Sequence, residues 1–113
     1  TERYASKYMG GRAVNARMLY EAVDAKTDPL GPDNILCIGT GPLTGTAFPG
    51  CSRADIMCKS PVTGYIASAN IGGEWPAEIK FAGWDHIVLE GKSPTPVYVY
   101  IRNDVEEYRP VPA

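Results

Sequence analysis

The spacing of apolar positions changes along this chain, from helical near its start to strand-like further on. Residues 2–9 read as the end of a helix halted by Gly10-Gly11. A second helix is expected over 12–23, where Val14, Met18 and Ala22 fall at four-residue steps with Leu19 and Val23 beside them. Such a stripe is best explained by core packing. The stretch 28–34, Asp-Pro-Leu-Gly-Pro-Asp-Asn, is a punctuated loop. The short apolar run 35–38 then fits a buried strand, and a glycine-rich loop follows over 39–52.

Residues 53–59 and 65–69 read as two strands joined by the turn-type sequence Ser60-Pro61-Val62-Thr63-Gly64. Residues 74–82 form a short helix in this reading. Pro76 sits in its first turn, where a missing N–H is tolerated, and Gly83 supplies its carboxyl cap. Strands are expected at 86–90 and at 97–101, the latter β-branched and aromatic throughout, with 105–109 pairing back across Asn103-Asp104. Helices and hairpins are segregated rather than alternating. The fold class is therefore α+β, with amino-terminal helices packed on antiparallel sheet and hairpins.

Composition narrows the choice of function. The chain has 113 residues, room for one small domain, with 11 basic against 13 acidic side chains. That balance favours neither a nucleic-acid nor a membrane-surface partner. No apolar run is long enough for a membrane span, so no transmembrane helix is expected, and the cysteine usage fits a cytoplasmic protein. The start at Thr1, without methionine, reads as truncation or processing. Three cysteines, Cys37, Cys51 and Cys58, lack the paired short spacings of a disulfide framework or a zinc or iron–sulfur site. Reduced thiols are expected, with Cys37 a small core residue.

The chemistry-bearing words lie between residues 39 and 85. Gly39-Thr40-Gly41 lacks the third glycine of a dinucleotide fingerprint, and no Gly-Lys-Ser/Thr follows to make a P-loop. Asn70-Ile71-Gly72-Gly73 precedes the helix at 74–82; the glycine pair permits close backbone approach, and a helix start favours an anion. A backbone carbonyl near Asn70 suits a hard cation such as Mg2+ bridging phosphates, although Glu74 could satisfy the helix dipole itself. Arg53 and Lys59 open and close one strand on the same side by period-two counting, a fork and a point charge for phosphate. Two solvated strand-end cations are the plain alternative. His86, the single histidine, has no obvious partner and reads as structural. Trp75, Trp84 and the seven tyrosines read as core and interface anchors, since basic residues do not interleave with them. No nucleophile, acid–base dyad or metal-ligand cluster stands out.

Several unusual words occur in one order: Asp28-Pro29-Leu30, Gly41-Pro42-Leu43-Thr44-Gly45-Thr46, Lys59-Ser60-Pro61-Val62-Thr63-Gly64, Asn70 with Gly72-Gly73, 77–85 (Ala-Glu-Ile-Lys-Phe-Ala-Gly-Trp-Asp) and Glu90-Gly91-Lys92. In these the chain resembles the amino-terminal domain of the aldehyde ferredoxin oxidoreductase family, the tungsten-pterin enzymes. The resemblance implies an α+β base for tungsten or molybdenum held by two molybdopterins. It implies that Arg53 and the Asn70–Gly72 turn (Asn70, Ile71 and Gly72, with Gly73 adjoining) meet the pterin phosphates, with Lys59 assisting. It also implies that the Asn70 carbonyl helps to hold Mg2+. The 4Fe-4S ligands, acidic pterin motifs and proton-transfer residues of that family belong to later domains, so residues 1–113 are expected to be a partial domain without catalytic residues.

The implied activity is oxidation of aldehydes to carboxylic acids, with electrons passing to ferredoxin or an electron-transfer subunit. The remaining domains and a homodimer mate are the other implied partners. Gly50-Cys51-Ser52-Arg53 and Gly91-Lys92-Ser93-Pro94 also resemble the catalytic subunit of tungsten benzoyl-CoA reductases. That branch is one alternative, and a non-catalytic structural module is the other.

Overall fold

A run of backbone hydrogen bonds across four antiparallel strands organises the chain. The computed structural model describes residues 2–112. In chain order the elements are α1 (Glu2–Ala5), α2 (Gly11–Ala22), β1 (Leu36–Thr40), β2 (Ala54–Lys59), β3 (Ile66–Ile71), α3 (Trp75–Phe81), β4 (His86–Leu89), β5 (Val97–Arg102) and β6 (Val105–Pro110). The sheet runs β3-β2-β1-β4, and β5 and β6 form a separate two-stranded ribbon. The expected α+β class and element order are borne out.

Helix α2 lies across β1 and β2 and buries Val14 and Leu19. Its stripe is rotated relative to the sequence reading. Ala22 is exposed, whereas Asn15 is fully buried beside Val14. The core beneath α2 joins Leu19, Ile35, Cys37 and Met57, with Met18, Val23 and Val88 packed against it. Cys37 is thus the core residue expected, and all three cysteines are free thiols. Burial holds the Cys37 proton up to about 11, against an ordinary value of 9.0.

Strand alternation assigns the faces. Asp55, Met57 and Lys59 of β2 share the α2 side with Cys37 and Gly39 of β1 and with Val88 and His86 of β4, as cross-strand partners on one face must. The opposite face carries Ile38 and Ile87. Together with Ile79 of α3 and Val99 and Ile101 of β5 these line an apolar groove of about 580 Å³.

Two details differ from the sequence reading. The first helix covers only Glu2–Ala5, and Gly10-Gly11 does not stop it but leads into α2, with Gly10 as the amino-terminal cap at φ 123°. The tyrosines are not core residues. Tyr20, Tyr65 and Tyr108 are exposed, and Arg109 stacks 3.9 Å over the Tyr100 ring. Trp84 does anchor, donating Nε1–H to the Asn103 carbonyl at 2.6 Å. The ribbon turns at Asn103-Asp104 as expected, Asn103 taking the left-handed φ of 54° that such tight turns require.

Candidate functional site

At the upper end of the α2-facing surface the sheet changes from apolar to polar. Gly39, Asp55, Asn70 and His86 replace the aliphatic residues that fill the other end. A cleft of about 360 Å³ opens there, between the amino end of α2 and the strand ends. Gly10, Gly11, Arg12, Gly41, Arg53, Asp55 and Asn70 are among its walls. Two arginines against one aspartate leave it with a net charge of +1. The α2 amino end adds to that sign: Gly10 offers no side-chain cap and the first turn contains no acid. The sequence reading gave this role to the helix after Gly73. That helix, α3, is seven residues long and has Glu78 in its first turn, and the helix end at the cleft is that of α2.

Asp55 ties the floor together. It is 5% exposed, and its Oδ1 accepts hydrogen bonds from Ser68 Oγ (2.8 Å), Asn70 Nδ2 (3.2 Å) and Arg12 Nε (3.2 Å). Asn15 Nδ2 donates to the Asp55 carbonyl at 2.8 Å. Among the described residues, Asp55 Oδ2, Asn15 Oδ1 and both His86 ring nitrogens are buried without a partner. Burial lowers the His86 pKa from its ordinary 6.5, against a weaker upward pull from the Gly11 backbone and Asp85. The histidine is half-buried. The packing around it is tight, since a Cβ on Gly39 would lie 2.6 Å from both Asn15 Oδ1 and His86 Cδ2.

The backbone of Asn70 is set by ladder parity. Ser60 N–H donates to the Tyr65 carbonyl at 2.8 Å, and the register runs unbroken from there to Ala54 opposite Ile71. Counting alternately from that bond makes Asp55–Asn70 a non-hydrogen-bonded pair. Its side chains face each other closely, whereas the Asn70 N–H and C=O point away from β2. β3 is the sheet edge, so that carbonyl faces outward.

The structure brings Arg53 and Asn70 together at one cleft. Arg53 is exposed, and its guanidinium has no hydrogen-bond or ion-pair partner among the described residues. Ile71 ends β3 opposite Ala54. Gly72 and Gly73 follow beyond the cleft, and the Gly73 carbonyl accepts a hydrogen bond from Ser52 Oγ at 3.1 Å. Among the described residues, apart from its chain neighbours, nothing lies within 4 Å of a Cβ built on Gly72. Its lack of a side chain therefore answers to no internal packing.

Lys59 is not part of this group, which corrects its assignment as an assisting phosphate cation. It closes the far end of β2 and is 7% exposed. Its ammonium donates to the carbonyls of Asp24, Ala25 and Thr27 at 2.9, 2.9 and 2.8 Å. All three protons of the group are spent, so Lys59 clips the loop after α2 onto the sheet. Sequence reasoning also passed over Arg12, Asn15 and Asp55. Asn15 inside an apolar helix stripe and Asp55 inside a strand were the signs available.

No group of three or more His, Cys, Asp or Glu side chains capable of holding a metal occurs among the described residues. No described helix is long and apolar enough to cross a membrane.

Comparison with known proteins bears on this cleft. The family described as aldehyde ferredoxin oxidoreductase, N-terminal domain, matches residues 1–112. The tungsten-containing aldehyde ferredoxin oxidoreductase of Thermococcus kodakarensis is 51% identical over 108 residues, 96% of this chain and 18% of that protein. The enzyme of the same description from Pyrococcus furiosus is 47% identical over 108 residues, with the same two coverages. A solved structure, the active site complex BamBC of benzoyl coenzyme A reductase in complex with 1,5 dienoyl-CoA, superposes with a TM-score of 0.92. Its identity is 40%, over 97% of this chain and 17% of that one. The chain thus spans under one fifth of the length of the relatives it matches. With residues 1–112 matched and its fold superposing closely, the chain belongs to the aldehyde ferredoxin oxidoreductase family, in the region of that family's amino-terminal domain.

Proposed function

We propose that this chain is the cofactor-base portion of a tungsten-bis-pterin oxidoreductase that oxidises aldehydes to carboxylic acids and passes the electrons to ferredoxin. One observation carries the reading: Arg53, unpaired, and Asn70, with its carbonyl turned outward, share one positively charged cleft in a chain of this family. The residues suit a phosphate-bearing group with a hard cation. Arg53 offers a planar fork of donors to phosphate oxygens. The Asn70 carbonyl would be one oxygen ligand to Mg2+, a hard cation that prefers oxygen donors. The backbone of Ile71, Gly72 and Gly73 would line the approach, and the open space at Gly72 is consistent with that. The bound metal, tungsten or molybdenum, supplies two-electron redox chemistry. This chain's residues hold and orient the group rather than act on substrate.

The 4Fe-4S cluster, the substrate pocket and the docking of ferredoxin or an electron-transfer subunit belong, in this reading, to the rest of a longer, cytoplasmic, homodimeric enzyme. A second reading, an aryl-CoA reductase of the benzoyl-CoA type, is favoured by the 40% identical solved structure. The higher identity of the aldehyde-oxidising relatives puts the first reading ahead.

The test is elemental analysis of the natively purified full-length protein for tungsten, molybdenum, iron and magnesium, with Arg53→Ala as its variant. Tungsten or molybdenum with iron in the parent, and reduced metal with unchanged folding in the variant, is the expected result. A metal-free parent would make the chain a structural module. Assay of the metal-loaded protein with aldehydes against aryl-CoA thioesters separates the two enzyme readings.

A further inference from the structure

Arg53 is not the one cation at the cleft. Arg12 stands on the opposite wall, one residue into α2, with its side chain 64% exposed. Only its Nε is engaged, by Asp55 Oδ1 at 3.2 Å, which leaves the rest of the guanidinium fork unspent. Asp55 is itself 5% exposed and lines the cleft, and its second oxygen, Oδ2, is buried without a partner. A buried carboxylate oxygen without a donor costs free energy unless something fills the seat. The group best placed to fill it is the guanidinium already bonded to its twin, by rotating from one bond to the two-bond fork that arginine and carboxylate favour.

We propose that Arg12 is a second phosphate-binding cation of this cleft and that Asp55 is its positioning residue. In the two-bond arrangement Asp55 fixes the guanidinium plane, and the remaining N–H groups face the cleft beside the uncapped amino end of α2. The ligand class is a phosphate ester or diphosphate, held between Arg12 on the helix and Arg53 just before β2. Through its other contacts Asp55 also holds Asn70 and Ser68, so both walls are referred to one buried carboxylate. This inference rests on the cofactor-cleft reading above and adds to it a residue pair and a division of labour.

The experiment uses the full-length protein purified with its cofactor. Tungsten and pterin per polypeptide are measured as purified, together with the rate at which both are released at a fixed elevated temperature. Circular dichroism checks the fold. Arg12→Ala is expected to fold normally and to release the cofactor about ten- to a hundredfold faster, the loss of a charge-assisted phosphate contact. Arg12→Lys should fall between, keeping the charge without the fork. Asp55→Asn should speed release in the parent, and by a smaller factor in Arg12→Ala, where only its hold on Asn70 and Ser68 is left to lose.

Parent-like release in Arg12→Ala, with Arg53→Ala impaired, overturns the role of Arg12 and leaves the cleft reading standing. Parent-like release in both arginine variants brings down the cleft reading itself. An effect of Asp55→Asn as large in the Arg12→Ala background as in the parent overturns the positioning role. If Asp55→Asn fails to fold, the ranking of Arg12→Ala, Arg12→Lys and parent still decides whether Arg12 binds.

Discussion

Replacing Lys59 by methionine isolates what a buried ammonium does for this fold. The side-chain stem is kept and the three donors are removed. The lost bonds run to the Asp24, Ala25 and Thr27 carbonyls at 2.8 to 2.9 Å. Hydrogen bonds from a charged donor are worth about 1.5–3 kcal/mol each where buried. Here the acceptors lie on a largely exposed loop and regain water once released, and methionine no longer carries the cost of a buried charge. The net loss comes to about 2–4 kcal/mol, concentrated in the loop rather than spread over the sheet. Local opening of that size raises amide exchange roughly 30- to 1000-fold.

Hydrogen–deuterium exchange of the full-length protein, read on peptides covering residues 24–34, is the assay. Those peptides should lose protection while peptides from β1 keep it, and tungsten content should match that of the parent. Unchanged exchange together with lost tungsten would refute the argument. The ammonium would then serve the cofactor, and the clip would be incidental.

Gly39→Ala places a methyl group 2.6 Å from Asn15 Oδ1 and His86 Cδ2 and should destabilise the domain by about 1–3 kcal/mol, measured by chemical denaturation. Below pH 6.5 the protein should lose stability, because unfolded His86 takes a proton that the buried ring, with its lowered pKa, resists; His86→Gln should flatten that part of the pH profile. Cys37 keeps its proton to about 11 in the fold but only to about 9.0 when unfolded, so stability should decline between those pH values, and Cys37→Ala should remove that decline. At pH 8, alkylation followed by mass spectrometry should leave Cys37 unmodified in the folded protein, since well under one per cent is thiolate and none of it is exposed.

Order and type of the elements were legible because each was written in local terms. The apolar run at 35–38, the β-branched and aromatic run at 97–101, Gly83 after α3 and the Asn103-Asp104 turn name their own structures. The pairing of Arg53 with Asn70 was legible only through the family resemblance, because a separation of seventeen residues leaves no local mark. Lys59 shows the converse limit. Period-two counting placed it on the side of Arg53 but could not say what covers that side six residues along. The covering segment is the loop leaving α2, and its carbonyls take the charge that an open face would have left to a ligand. Gly10-Gly11 was misread for a related reason. A glycine pair marks a change of direction, and whether it ends one helix or begins the next is settled by distant packing: a Cβ built on Gly10 would meet the Thr40 carbonyl oxygen at 3.2 Å, thirty residues away.

The non-hydrogen-bonded pairing of Asp55 with Asn70 makes the β2–β3 hairpin a counting device. Whether the Asn70 carbonyl faces solvent or the neighbouring strand is decided at the opposite end, by the bond that closes Ser60 on Tyr65. A single residue inserted between them, if the strands slip to absorb it, exchanges the inward and outward carbonyls along all of β3 and turns every side chain over. Two inserted residues restore the phase. The length of the loop at residues 61–64, far from any ligand, is thereby under the same constraint as the cleft it never touches.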